Sequence, residues 1–242
     1  MYWLPTDSRS VADIEDMTGT SSTVPIDRRE AILDVAERLI RTVGYERMSI
    51  QAVQDELGIS RGAVYHYFGS KEDLLEAVVE RMASAIGQAL QPIVDEADLA
   101  ADEKLRRVFL VAGRWKTERR DLVLELLGVW MSDVNAVARV KLSRTAIEHI
   151  LPVLAAIVRQ GTEEGTFAVD SADHTARVLL DVLQGAGETT GELLVRMRSG
   201  AIDLDTVRQA FDAYETAIER ILGLPPGSFT YIDDQLLHAW FA

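Results

Sequence analysis

The stretch SIQAVQDELGISRGAVYHYFGSK, Ser49 to Lys71, decides how this chain is read. Ser49 is a side chain suited to capping a helix. Ile50, Val53 and Leu57 then recur at i, i+3 and i+7, which gives that helix one apolar face. Gly58 sits where a helix needs a residue tolerant of positive φ in order to stop. Ile59 plugs the angle that follows, and Ser60 caps the next helix. Two short helices joined by a Leu-Gly-Ile turn make a helix-turn-helix. Such a unit lays its second helix in the DNA major groove, with that helix's N-terminal residues facing the base edges. A sequence-specific DNA binder is therefore expected.

Upstream, Asp27 and Glu30 stand in capping-box spacing, and Ile32, Ala36, Leu39 and Val43 form the stripe of a first helix. Arg28, Arg29, Arg38 and Arg41 lie around the rest of it. Arg28 and Arg29 can reach a phosphate, or serve as solvated surface with i,i+4 partners. Downstream, Ser70 with Asp73 starts a fourth helix, expected to run to about Leu90 with Pro92 limiting it. From Asp98 to Leu222 the helical period continues without the alternation that marks strands. It predicts helices near 100–116, 119–131, 134–161, 171–199 and 204–222, with breaks at Gly161–Gly165 and Ser199–Asp203. After Gly223, Pro225 and Pro226 break the pattern, and Ile232, Leu236, Leu237, Trp240 and Phe241 make a short apolar face expected to cover core. The predicted fold is all-α. A flexible N-terminal arm spans 1–25, the helix-turn-helix domain 26–72 and a larger helical domain 73–223. A tail at 224–242 carries a short amphipathic helix. In the arm, rich in Ser, Thr, Asp and Gly, Tyr2 and Trp3 are the apolar exceptions and Arg9 is the one cation.

The chain has 242 residues, 48% of them hydrophobic, which is enough for a sizeable core. It has no cysteine, so disulfides and thiolate metal sites are excluded. No apolar run approaches the ~18 residues of a membrane helix. The first residues lack the basic-then-apolar pattern of a signal peptide, so the cytoplasm is the expected compartment. The net charge of −14 is unusual for a DNA binder, but it is unevenly spread. Residues 27–71 hold seven basic and seven acidic side chains, residues 1–26 one and four, and residues 72–242 seventeen and twenty-eight. The acidity lies outside the helix-turn-helix. It should keep non-specific DNA affinity modest and salt-dependent, or simply serve solubility.

The string GISRGAVYHYFGSKEDLL resembles the N-terminal domain of the TetR (tetracycline repressor-like) family, through Gly58, Tyr65, Tyr67, Phe68, Lys71 and the Leu74-Leu75 pair. The likeness covers about Arg28 to Met82 and includes Gly44-Tyr45 at the end of the first helix. A second stretch, ILPVLAAIVRQGTEEGTFAVD, resembles the end of that family's long seventh helix and the Gly-acidic-Gly-aromatic turn after it. The resemblance implies that the Tyr65 and Tyr67 hydroxyls and the Lys71 ammonium grip phosphates, and that Ser49 adds a contact while capping its helix. Base reading falls to the start of the recognition helix. Ser60, Arg61, Gly62 and Ala63 lie there, with Gln51 reaching from the helix before. Arg61 can pair with guanine or take a phosphate instead. Some relatives carry His where this chain has Tyr67. Phe68 and Val64 are expected in the core and His66 on the outer face.

By the same resemblance, helices 171–199 and 204–222 would pair with their copies in a homodimer. Val178, Val182, Gly185, Leu193, Ala210, Tyr214 and Ala217 would lie at the interface. Gly185, Gly187 and Gly191 imply close helix approach or a kink, because mid-helix glycine costs up to about 1 kcal/mol relative to alanine. Residues beyond about 90 would enclose an effector pocket, with Phe109, Trp115, Trp130, Met131 and His149 as candidates and an apolar or aromatic effector. Each of these also fits ordinary core. Glu125 or Asp133, if buried, would favour a cation.

Three function classes stay open. The first is a ligand-responsive transcriptional regulator, in this family most often a repressor, on a pseudo-palindromic duplex operator. The second is a DNA-binding regulator controlled by a protein partner. The third is a helical enzyme or ligand carrier with an incidental helix-turn-helix. No nucleophile triad, phosphate loop or dinucleotide signature supports an enzyme, and no cofactor or metal is expected.

Overall fold

The structure is a computed structural model and describes residues 27–131 and 136–241; the side chains at 130–143 and 146 are not described. The expected arm, with Tyr2, Trp3 and Arg9, lies outside the described residues. So do Asp133 and the predicted start of a helix at 134. The described residues form ten α-helices and no strand.

The head of the molecule follows its capping signals. α1 (Arg28–Val43) starts at Asp27, whose carboxylate accepts from Arg29 N, and ends at Gly44 with φ +83°. α2 (Ile50–Leu57) is capped by Ser49, and Gly58 stops it in the left-handed region at φ +62°. α3 (Arg61–Tyr65) is capped by Ser60, and α4 (Lys71–Asp95) by Ser70. Ile32, Ala36, Ile40, Val53, Val64, Phe68, Leu74, Leu75 and Val78 close one apolar core between these helices. The head therefore extends past residue 72. The first two turns of α4 belong to its core, because Leu74, Leu75 and Val78 have nowhere else to bury.

α4 also runs further than expected. Pro92 lies inside it, and the helix continues to Asp95. Proline lacks one N–H and crowds the carbonyl four residues back. One turn from the end, with Leu90 buried and Ile93 and Val94 packed on the body core, those losses are offset by burial.

α5 (Ala101–Glu118), α6 (Arg120–Met131), α7 (Ala136–Glu164), α8 (Ala172–Arg198) and α9 (Leu204–Leu222) form the body, and α10 (Asp234–Phe241) closes it. α7 packs against α4, α5 and α8 at the centre. α5 begins at Ala100, which has no capping side chain, and Glu164 at the end of α7 accepts from Ala101 N at 3.0 Å instead. That hydrogen bond, then one from Gln160, holds the Glu164 carboxyl below its ordinary range.

The turn after α7 explains its sequence. Gly165 adopts φ +75°, which favours glycine. Gly161 lies within the helix, and its carbonyl accepts from both Thr166 N and Phe167 N at 2.9 Å. The Phe167 ring folds onto it so closely that a Cβ at Gly161 would fall 2.2 Å from Cδ2.

α1 and α4 are joined by charge as well as by core. Arg81 of α4 donates to Asp34 at 2.6 Å, to Glu30 at 3.4 Å and to Glu37, all on α1. Arg81→Met would remove the cation that Asp34 and Glu37 share, while Glu30 would keep Arg29. Asp34 is exposed and Arg81, Glu30 and Glu37 are half-buried, so a loss of about 1 kcal/mol is expected in urea unfolding. An unchanged midpoint would show that solvent already screens the cluster.

Candidate nucleic-acid interface and ligand cavity

The groups expected from the sequence to face DNA lie on α2, on α3 and the turn after it, and at the start of α4, with the caps before these helices. Tyr65 and Tyr67 are each 41% exposed, unusual for large aromatics, and lie on either side of His66, which is also exposed. Val64 and Phe68 are buried in the same turn and fix its orientation. Arg61 lies over the Tyr65 ring at 5.1 Å and its guanidinium is 3.4 Å from the Tyr65 hydroxyl, a contact it can exchange for a base or phosphate. Gly62 is exposed and Ala63 half-buried, and a Cβ added at Gly62 would meet nothing within 4 Å, so this edge of α3 is open to close approach.

Gln51 is held by Asp55 at 2.6 Å, an i,i+4 hydrogen bond that aims it along α2. Ser49 and Ser60 spend their hydroxyls on the Ala52 and Ala63 amides. Lys71, at the start of α4, donates to Glu46 O at 3.1 Å and lies 4.3 Å from the centre of the Tyr45 ring. Burial pushes the Tyr45 phenol up to about 12, with Glu72 and Glu46 adding to it, so Lys71 faces a neutral ring. Arg29, at the start of α1, lies 5.7 Å over Phe68 and pairs with Glu30.

The body holds a half-open cavity of about 440 Å³. Its lining comes from α4 (Val79, Met82, Ile86), α5 (Phe109, Trp115, Lys116), and α6 to α10. Of the pocket residues expected from sequence, Phe109 and Trp115 line it. His149 does not: it turns to α4 and lies 2.5 Å from Glu80 Oε1, because a ring with two nitrogens finds a carboxylate across the α4–α7 contact. The side chains of Trp130 and Met131 lie outside the described residues. Glu125 is exposed and approaches Gly44 in the head, so it offers the cavity no buried carboxylate.

The sequence reading missed α10 as a wall of this cavity. Leu236, Trp240 and Phe241 line it. Trp240 Nε1 donates to Thr117 at 2.8 Å and Arg120 donates to Trp240 O at 3.3 Å, which docks the helix on α5 and α6. Tyr231, just ahead of α10, stacks on Phe211 at 5.8 Å. Burial, then Tyr214, pushes its phenol up to about 12, so it remains a proton donor. The aromatic spacing was visible in the tail; the surface it would cover was not.

Lys116 was also missed. Its side chain is exposed, yet the protein packed around its amine lowers it below the ordinary value of 10.5, and desolvation is the only cause. A side chain surrounded by protein but opening into a half-open cavity has both properties. A base with a depressed folded value penalises folding fully below that value, and the penalty fades as pH rises toward 10.5. Lys116→Met is therefore expected to raise Tm at pH 7, with the gain shrinking as pH approaches 10.5. Calorimetry at two pH values would show this; a lower Tm at pH 7 would mean the amine is solvated.

The residues expected at a dimer interface divide. Val178 is 48% exposed, and Val182, Gly185, Ala210, Tyr214 and Ala217 are half-buried. Leu193 is buried with Val207 and Phe211 in the core of its own protomer, which leaves it no surface for a second subunit. Tyr214 hydrogen-bonds Thr189 at 2.7 Å across α8 and α9. A Cβ at Gly185 would meet only the Tyr214 hydroxyl, at 3.8 Å, and one at Gly187 nothing. Packing within the protomer therefore does not require glycine at either place.

The family model for bacterial regulatory proteins of the tetR family matches residues 32–78. The HTH-type transcriptional repressor AcnR of Corynebacterium efficiens is 33% identical over 66 residues, 27% of this chain and 35% of AcnR. The chain thus matches about a third of the length of the first curated relatives. The HTH-type transcriptional regulator BetI of Rhizobium meliloti is 24% identical over 198 residues, covering 81% of this chain and 91% of BetI. A solved TetR transcription regulator from Haloarcula marismortui superposes with a TM-score of 0.58 at 27% identity, over 79% of this chain and 97% of that one.

Proposed function

We propose that this chain, which belongs to the tetR family of bacterial regulatory proteins, is a sequence-specific transcriptional regulator, a repressor released from its operator by a small effector. The observation that carries this reading is the course of α4. Its first turns (Leu74, Leu75, Val78) are core of the head, and the turns that follow (Val79, Met82, Ile86) are wall of the cavity. Any change of cavity shape that moves this helix moves the DNA-gripping end with it. An effector acts only through its differential affinity for the two positions.

Ser49, Gln51, Ser60, Arg61, Gly62, Ala63, Tyr65, Tyr67 and Lys71 are the proposed DNA contacts. The phenols and the ammonium fix register on phosphates, and Arg61 is the proposed base reader. A homodimer on a pseudo-palindromic duplex is proposed through α8 and α9. Its support is that Val178 and Val195, both on α8, are exposed at 48% and 60%, the large exposed apolar side chains of the body among the described residues. The cavity lining favours an apolar or aromatic effector. The proposed place of action is the cytoplasm, where the operator lies, and no reaction is assigned to the chain.

Selection of bound duplexes from a random pool tests the reading. The expected winner is a pseudo-palindrome with half-sites about one helical turn apart, bound with a steep salt dependence. Failure to enrich any sequence at low salt would overturn it.

A further inference from the structure

Lys116 is the cation of a mostly apolar chamber. Most of its walls are carbon, with Phe109, Trp115, Phe211, Trp240 and Phe241 among them. The other lysines described here are satisfied. The buried Lys104 donates to Val94 O at 2.6 Å, and Lys71 donates to Glu46 O. Lys116 Nζ has no hydrogen bond or ion pair among the described residues, and no carboxylate offsets the desolvation of its amine. Glu188, the other charged residue of the lining, has a partner of its own. Leaving an ammonium desolvated and unpaired is costly unless something supplies the countercharge. Tyr231, also in the lining, offers a neutral hydroxyl that burial keeps protonated.

We propose that the effector is a monocarboxylate on a hydrocarbon body, its carboxylate paired with the Lys116 ammonium and its body against the aromatic wall. This rests on the cavity being the effector site. An apolar amine would set two cations together between mostly apolar walls. A neutral body would leave the ammonium as unpaired as before. A carboxylate brings the countercharge that Lys116 lacks, since Glu188 of the lining is engaged elsewhere, and a charge-assisted hydrogen bond away from bulk water is stronger than one at the surface. From the sequence, a cation would be favoured only if Glu125 or Asp133 were buried; Glu125 is exposed and does not line the cavity, and Asp133 lies outside the described residues.

Two matched probe sets test the proposal by calorimetric titration of the full chain. The first is 1-naphthylacetate, its amide, and 2-(1-naphthyl)ethylamine. The second is decanoate, decanamide and decylamine. At least one carboxylate is expected to bind about tenfold or more tightly than its amide and amine. Lys116→Met is expected to erase that preference while keeping its cooperative thermal transition. Equal or tighter binding of the amide or amine overturns the proposal. So does a carboxylate preference that survives in Lys116→Met, or failure of both carboxylates to bind. Operator affinity, measured with the same probes, separates the two readings. A carboxylate that binds through Lys116 without changing DNA affinity leaves the anion site standing and removes the effector role. Release of DNA by an amide or amine alone does the reverse.

Discussion

A chain carrying Tyr65→Phe, Tyr67→Phe and Lys71→Ala is expected to lose about 100-fold or more in operator affinity, since each hydrogen bond to a charged phosphate contributes about 1.5–3 kcal/mol. The two phenols are exposed and away from the core, so deleting their hydroxyls removes no packing. Lys71 gives up its hydrogen bond to Glu46 O and its place over Tyr45, a cost of about 1 kcal/mol or less at an exposed site. The loss should therefore appear in binding with little change in Tm. The slope of log affinity against log salt should also fall by about one per subunit, from the single cation removed. Fluorescence anisotropy on the selected duplex across a salt series would measure both. Parental affinity in the triple variant would mean that another face of the head reads DNA.

Gly161→Ala is expected to cost about 3 kcal/mol or more, at or beyond the upper end of what overpacking usually does. The added Cβ would fall 2.2, 2.5 and 2.7 Å from three atoms of the Phe167 ring, so the whole ring must move. It has nowhere to go. Phe167 is 3% exposed, and its amide and that of Thr166 are both tied to the Gly161 carbonyl. Gly165→Ala, four residues on, is the control. Its Cβ would meet nothing within 4 Å and suffers only from φ +75°, a penalty of about 1–2 kcal/mol. Gly161→Ala with Phe167→Leu should recover part of the loss. Urea unfolding of the set would decide it, and a Gly161→Ala no worse than Gly165→Ala would show that the turn can open.

The two glycines illustrate what the sequence could and could not reveal. Their motif was legible as the end of a long helix, but as a pattern without a cause. One glycine serves a backbone angle and the other a neighbouring ring, and only the packed turn separates them. The head was legible for a different reason: every one of its helices starts at a side chain that caps it, and such signals are local. α9 was legible to its ends, from Asp203 to Gly223, because a cap and a left-handed glycine bracket it. What failed was non-local. Pro92 is tolerated because of what α4 packs on. His149 faces Glu80, distant in sequence. Leu193 lies in the apolar band of α8, and periodicity gives a helix an apolar face without saying whether the same chain or another covers it. Lys116 carries no pattern of its own, because a lone lysine after a tryptophan is ordinary until the space beside it is known.

The docking of α10 has a consequence for how occupancy could be observed. This helix is short, and its hold on the body rests on Trp240, Leu236 and a few polar contacts, so its amides should exchange with solvent by local opening rather than global unfolding. Leu236, Trp240 and Phe241 are also surfaces that a bound molecule would touch. Anything that binds only the docked state slows that opening by mass action. Deuterium uptake between Asp234 and Phe241 thus becomes a gauge of cavity filling, read at the far end of the chain from the DNA head and independent of whether any operator is present.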